Sequence, residues 1–107
     1  MKNLIITFFL FVGITNAQIE VIQYNAGWNA SNDVEWCEDL NDCDTDYVDI
    51  MEKPKQQEKY NIAVVPTIII FDDGEEIKRY QADISFSIKA TREEVQEFID
   101  EQIANKF

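Results

Sequence analysis

Apolar and polar positions change rhythm several times along these 107 residues. Ile19–Asn25, IEVIQYN, is apolar at 19 and 21 and partly at 22 and 24, the alternation of a strand. Ser31–Asn41, SNDVEWCEDLN, sets Val34, Cys37 and Leu40 three apart. That spacing predicts one apolar face of a short helix, with Asn29 or Ser31 as its cap. Asp46–Met51, DYVDIM, predicts a second strand. Pro54–Tyr60 predicts a short helix with proline in the first turn, where its missing N–H costs nothing. Val64–Phe71, VVPTIIIF, is a continuous apolar run. It predicts a buried strand beginning after Pro66, because proline cannot donate into a central ladder. Asp72-Asp73-Gly74 signals a tight turn, and Glu76–Ala82 returns as an alternating strand with Ile77 and Tyr80. Asp83–Ala90 fits either a packed loop or an extended segment. Thr91 to Glu94, TREE, is a capping box. It opens a last helix with Val95, Phe98, Ile99 and Ile103 on one face.

The order β-α-β-α-β-β-α predicts an α/β fold, a small mixed sheet flanked by helices. The first crossovers are long enough for parallel pairing, and the last two strands form a hairpin.

Residues 1–17 break this pattern. MKN carries a lysine, LIITFFLFVGI is apolar apart from Thr7 and Gly13, and TNA ends in a small residue. This is the arrangement of a secretory signal peptide. The run is shorter than the ~20 apolar residues of a spanning helix. Cleavage after Ala17 leaves residues 18–107 as one domain, exported to a periplasm or secreted, with no membrane association. No cysteine stands at the cut, which argues against a lipid anchor.

Lys2 is the one charged residue of that leader. In the rest of the chain 8 of the 9 Lys and Arg face 21 Asp and Glu, a net charge of −13 in place of −12. Such a balance opposes binding to nucleic acid or anionic membrane and favours solubility or a basic partner. The chain has no histidine, which removes His-based triads and the commonest transition-metal ligand. The acidic run Asp39 to Asp49 does not form a calcium loop. Such a loop needs glycine at its sixth position and glutamate at its twelfth. Counted from Asp42 those positions hold Tyr47 and Lys53, and from Asp39 they hold Asp44 and Ile50. No metal or other cofactor is expected. Asn29-Ala30-Ser31 matches a glycosylation sequon.

Two stretches resemble the thioredoxin family. Tyr24-Asn25-Ala26-Gly27-Trp28 matches the family's strand end and tryptophan. Residues 60–82, YNIAVVPTIIIFDDGEEIKRYQA, are similar to its Pro-Thr segment, strand and hairpin. The family usually carries one further strand and helix at the N-terminus, for which residues 18–107 look too short. The family's chemistry sits in Trp-Cys-x-x-Cys, where a helix N-terminus lowers the first thiol's pKa. Here the matching residues are Trp28, Asn29, Ala30, Ser31 and Asn32, with amides in place of both sulfurs. The family's buried proton-relaying acid falls on Gln23. The resemblance therefore implies a degenerate site without dithiol exchange, and a redox-inactive binding or structural module. It also implies a cis peptide bond before Pro66. Trp28, Val65 and Pro66 would form a groove for an extended peptide or protein partner, bound by strand addition. A monomer is expected.

Cys37 and Cys43 lie six apart, away from that site. One reading is a structural disulfide tying the helix end to the second strand, worth ~2–3 kcal/mol by chain entropy. Another leaves Cys37 buried and reduced beside Val34 and Leu40. The third makes the pair a thiol-disulfide oxidoreductase centre in cell redox homeostasis. Glu38, Asp39, Asp42 and Asp44 oppose it, because negative charge raises a thiol's pKa.

Overall fold

The computed structural model of the chain describes residues 18–106; the expected leader, residues 1–17, lies outside them. Strands β1 (Ile19–Asn25), β2 (Asp44–Asp49), β3 (Thr67–Asp72) and β4 (Glu75–Gln81) form one sheet in the order β2-β1-β3-β4. β1 and β2 run parallel, while β3 is antiparallel to both β1 and β4. The first crossover is thus parallel, as the pattern predicts. The second is not, since it returns β3 alongside β1 in the opposite direction.

β3 is the spine of the sheet. Five of its six residues are buried, so its unbroken apolar run serves both faces. Ile68 and Ile70 face a cluster with Ile19, Val21, Cys37, Leu40, Val95 and Ile99. Ile69 and Phe71 face the other, with Tyr24, Ala26, Ile50, Ile62 and Val65. Helix α2 (Arg92–Ala104) closes the first face with Val95 and Ile99. Its capping box is formed, with Thr91 Oγ1 accepting from Glu94 N–H and Glu94 Oε1 from Thr91 N–H, each at 3.2 Å. Helix α1 (Pro54–Lys59) begins at its proline. The β3–β4 turn places Asp73 and Gly74 at φ 54° and 85°, left-handed values that suit an Asp-Gly hairpin. Residues 83–90 form a turn and coil, without a strand.

The helix expected over Ser31–Asn41 is not an α-helix. Two short 3-10 segments, Gly27–Asn32 and Glu35–Asp39, stand in its place. Neither is capped by a side chain; Ala26 and Val34 hold the cap positions, so Asn29 and Ser31 do not act as caps. The break has a tertiary cause. Gln23 on β1 donates from Nε2 to Val34 O at 3.1 Å and accepts Val34 N–H on Oε1 at 2.7 Å. Its N–H diverted to Gln23 and its backbone extended (φ −85°, ψ 99°), Val34 ends one segment's ladder and starts the next, with its carbonyl also accepting Cys37 N–H at 3.4 Å. The spacing of Val34, Cys37 and Leu40 is that of three residues per turn, the 3-10 period.

β2 starts two residues earlier than its pattern predicts, at Asp44. Among the described residues it pairs only with β1. This edge carries Asp44, Asp46 and Asp49, charges that discourage another strand from adding to it. At the far edge, Arg79 of β4 reaches the end of α1, donating to Tyr60 O at 2.8 Å and Asn61 O at 3.2 Å.

Candidate functional site

At the C-terminal end of β1 the chain turns through Ala26 into the first 3-10 segment. This throws Trp28 outward, 62% exposed, and draws Asn29 inward, 4% exposed. Asn29 has non-helical backbone angles inside the segment, and its side chain is fully engaged. Its Nδ2 has three acceptors in reach: Asn25 Oδ1 at 3.1 Å, Phe86 O at 3.2 Å and, more distantly, Val65 O at 3.4 Å. Its Oδ1 accepts from Asn32 Nδ2 at 2.8 Å. Asn25, itself buried, donates to Asn29 O at 3.1 Å and to Asp33 Oδ1. Tyr47 on β2 donates its hydroxyl to the same Asp33 oxygen at 2.9 Å. Burial first, then the bond to Asp33, pushes the Tyr47 hydroxyl up to about 12. Ala30 and Ser31 are exposed.

This network joins the end of β1, the first 3-10 segment, β2, the segment before β3 and the 83–87 turn. Its hubs, Asn25 and Asn29, are amides and do not titrate. None of Trp28, Asn29, Ala30, Ser31 and Asn32 carries a thiol or a side chain that titrates near neutral pH. The sequon nitrogen, Asn29 Nδ2, is the buried donor just described. Asn25, Asp33, Tyr47 and Phe86 escaped the sequence reading. Asn25 alone carried a signal, as a polar residue ending an apolar strand.

The structure brings Trp28 and Val65 together. They line a cleft of about 190 Å³, part apolar and part polar, with Ile50, Met51, Gln57, Ile62 and Phe86. Pro66, after a cis Val65–Pro66 bond, is itself buried and does not line the cleft. Phe86 stands edge-on to Trp28, ring centres 5.4 Å apart. It sits in a turn held by Phe86 N–H to Asp83 O at 3.0 Å and Ser85 N–H to Asp83 Oδ1 at 2.8 Å. Phe86 adopts φ 60°, a backbone region uncommon for a bulky residue. Its neighbour Ile84 is 99% exposed.

The cysteines lie elsewhere, and the bonded pair is corrected: both are free thiols, Cys37 buried and Cys43 half-buried. Cys37 packs in the apolar cluster under α2, with Cys43 against its margin. Burial, then Cys43 and Glu38, pushes Cys37 up to about 12. Burial, then Asp44 and Asp42, pushes Cys43 up to about 11. Cys37 also borders a second cavity, of about 290 Å³, with Gln23, Glu38, Thr45, Asp46 and Tyr47. No group of three or more metal-ligating side chains occurs among the described residues. No helix among them is long and apolar enough to cross a membrane.

No protein-family model and no curated protein matches the chain. Solved structures do. A variant thioredoxin from Halobacterium salinarum superposes with a TM-score of 0.63 at 18% identity, covering 78% of this chain and 74% of that one. Thioredoxin from Schistosoma mansoni gives 0.61 at 21%, covering 78% and 76%. A designed protein gives 0.60 at 26%, covering 81% and 82%. The four-stranded mixed sheet, its strand order and these superpositions agree: the chain has a thioredoxin-like fold.

Proposed function

We propose that this chain is an exported, non-catalytic binding module on a thioredoxin-like fold. It takes an extended peptide by strand addition beside Trp28 and Val65. Asn29 carries this reading. Where a dithiol protein keeps its attacking sulfur, this chain has an amide, buried and hydrogen-bonded to Asn25 and Phe86. An amide has no thiolate form, so the position cannot open a disulfide. What remains beside it is a cleft with apolar side chains and an exposed tryptophan. Removal of residues 1–17 and delivery outside the cytoplasm belong to the same proposal.

The competing activity, disulfide exchange through Cys37 and Cys43, has both thiols against it. Their raised pKa values keep them protonated at neutral pH.

Three measurements test the reading. The purified protein is expected to leave oxidised insulin unreduced, and ordinary thioredoxin-like turnover would overturn the non-catalytic role. Labelled extended peptides are expected to bind, and Trp28→Ala to weaken them; a full panel without binding removes the groove. Protein recovered outside the cell is expected to begin at Gln18.

A further inference from the structure

The cleft beside Trp28 has an unbalanced charged border. Asp49, the last residue of β2, lies opposite Asn25 in the strand pair. Its Oδ1 accepts Met51 N–H at 2.9 Å, and a Cβ placed on Gly27 would lie 3.5 Å from its Oδ2. The carboxylate therefore sits between Met51, which lines the cleft, and the residue preceding Trp28. Asp33 accepts from the Asn25 amide on one oxygen, which the Tyr47 hydroxyl shares. Glu52 follows Met51 in the chain. Among the described residues Asp33, Asp49 and Glu52 have no ion-pair partner; the four ion pairs fall on Asp72, Glu76, Asp83 and Glu93. On the opposite border Asp83 is matched by Lys89 at 3.5 Å. Lys53, next to Glu52, offsets one of the three unpaired charges.

We infer that the occupant of this cleft is a cationic extended peptide: an apolar side chain enters between Trp28, Met51 and Phe86, and an adjacent lysine or arginine is held by Asp33 and Asp49. This rests on the binding reading above and adds the chemistry of the partner. Its physical basis is complementarity. Unpaired carboxylates beside an apolar surface discriminate between partners by charge, and a chain of net charge −12 steers cations toward itself. A second copy of this chain, equally acidic, fits the border poorly.

The test uses three fluorescein-labelled nine-residue peptides with a central leucine flanked by two lysines, two glutamines or two glutamates. Binding to the purified protein is followed by anisotropy at low and high salt. The lysine peptide is expected to bind about 10-fold more tightly than the glutamine peptide at low salt, with the gap narrowing at high salt. The Asp33→Asn/Asp49→Asn variant is expected to bring the lysine peptide to the glutamine peptide's affinity. Asp49→Asn alone, expected to close part of the gap, replaces it if the double variant fails to fold. Equal binding of lysine and glutamine peptides overturns the cationic preference and leaves the binding reading standing. A lysine advantage that survives the charge-neutral variant overturns the assignment to Asp33 and Asp49. If none of the three binds, the binding reading falls and the preference with it. Sedimentation then shows whether a second copy, released by Trp28→Ser, fills the cleft.

Discussion

Gln23 holds Val34 by both ends of one amide, at 3.1 Å to its carbonyl and 2.7 Å from its N–H. A carboxylate at that position could accept but not donate, and it would face the Val34 carbonyl from a buried site. Gln23→Glu is therefore expected to destabilise the fold by about 1–3 kcal/mol. Burial would raise the new acid's pKa above its unfolded value. The native state would then bind the extra proton, and the variant would lose stability as pH rises between those two pKa values. Urea unfolding at pH 4 and pH 8 measures this. A variant no weaker at pH 8 than at pH 4, each relative to the parent, contradicts it.

Asn29 joins three separate segments through one buried amide. Asn29→Ala leaves Phe86 O, Asn25 Oδ1 and Asn32 Nδ2 short of a partner, at an expected cost of about 2–3 kcal/mol. Amide hydrogen exchange is expected to quicken first in residues 83–87. Uniform loss of protection across the chain would mean that the network does not tie down this turn in particular.

The thiols are expected to be inert at neutral pH. With Cys43 near 11 and Cys37 near 12, the thiolate fraction at pH 7 is orders of magnitude below that of a free thiol near 8.5. Alkylation by iodoacetamide should be slow, faster at Cys43, and climb about tenfold per pH unit until each group titrates. The linkage has a definite sign. An acid whose folded pKa is raised stabilises fully below its unfolded pKa, and that contribution is lost as pH rises toward the folded value. The loss of stability that begins above about pH 8.5 should therefore be smaller in Cys37→Ala than in the parent. Rapid labelling of Cys37 at pH 7 would contradict its burial.

Arg79 ties the edge of the sheet to the end of α1, donating to Tyr60 O and Asn61 O while pairing with Glu76 at 2.8 Å. Arg79→Ala is expected to cost about 1–2 kcal/mol, and lysine to restore only part of it, because one ammonium cannot reproduce the fork. Thermal unfolding of the two variants measures the difference; equal stability of the lysine variant and the parent would reduce Arg79 to a surface charge.

The features legible in the sequence are those written locally. Pro54 and the TREE box open helices, Asp73-Gly74 turns a hairpin, and the run after Pro66 is buried on both faces. The misread segment, 31–41, has helical spacing if its apolar residues are taken alone. What divides it is a side chain eleven residues upstream, whose contact no local window contains. The site divides in the same way. The amides at Asn29 and Asn32, where the resemblance would put sulfurs, are visible in the letters, and the resemblance also implies a groove at Trp28 and Val65. The approach of Phe86, and the meeting of Asn25, Asp33 and Tyr47, depend on how a loop and a neighbouring strand close around the end of β1. Such meetings leave no periodic trace.

The buried Asn29 nitrogen also sets two events in competition. In a secretory pathway with an oligosaccharyltransferase, the tripeptide Asn29-Ala30-Ser31 is available only while the chain is still open. A sugar attached there would occupy the nitrogen that later bonds Asn25 and Phe86, and that molecule could not close its network. Folding first hides the acceptor. Recombinant material from a glycosylating host would then separate into a folded, unmodified pool and a misfolded, glycosylated one, while a host without the transferase would yield a single species.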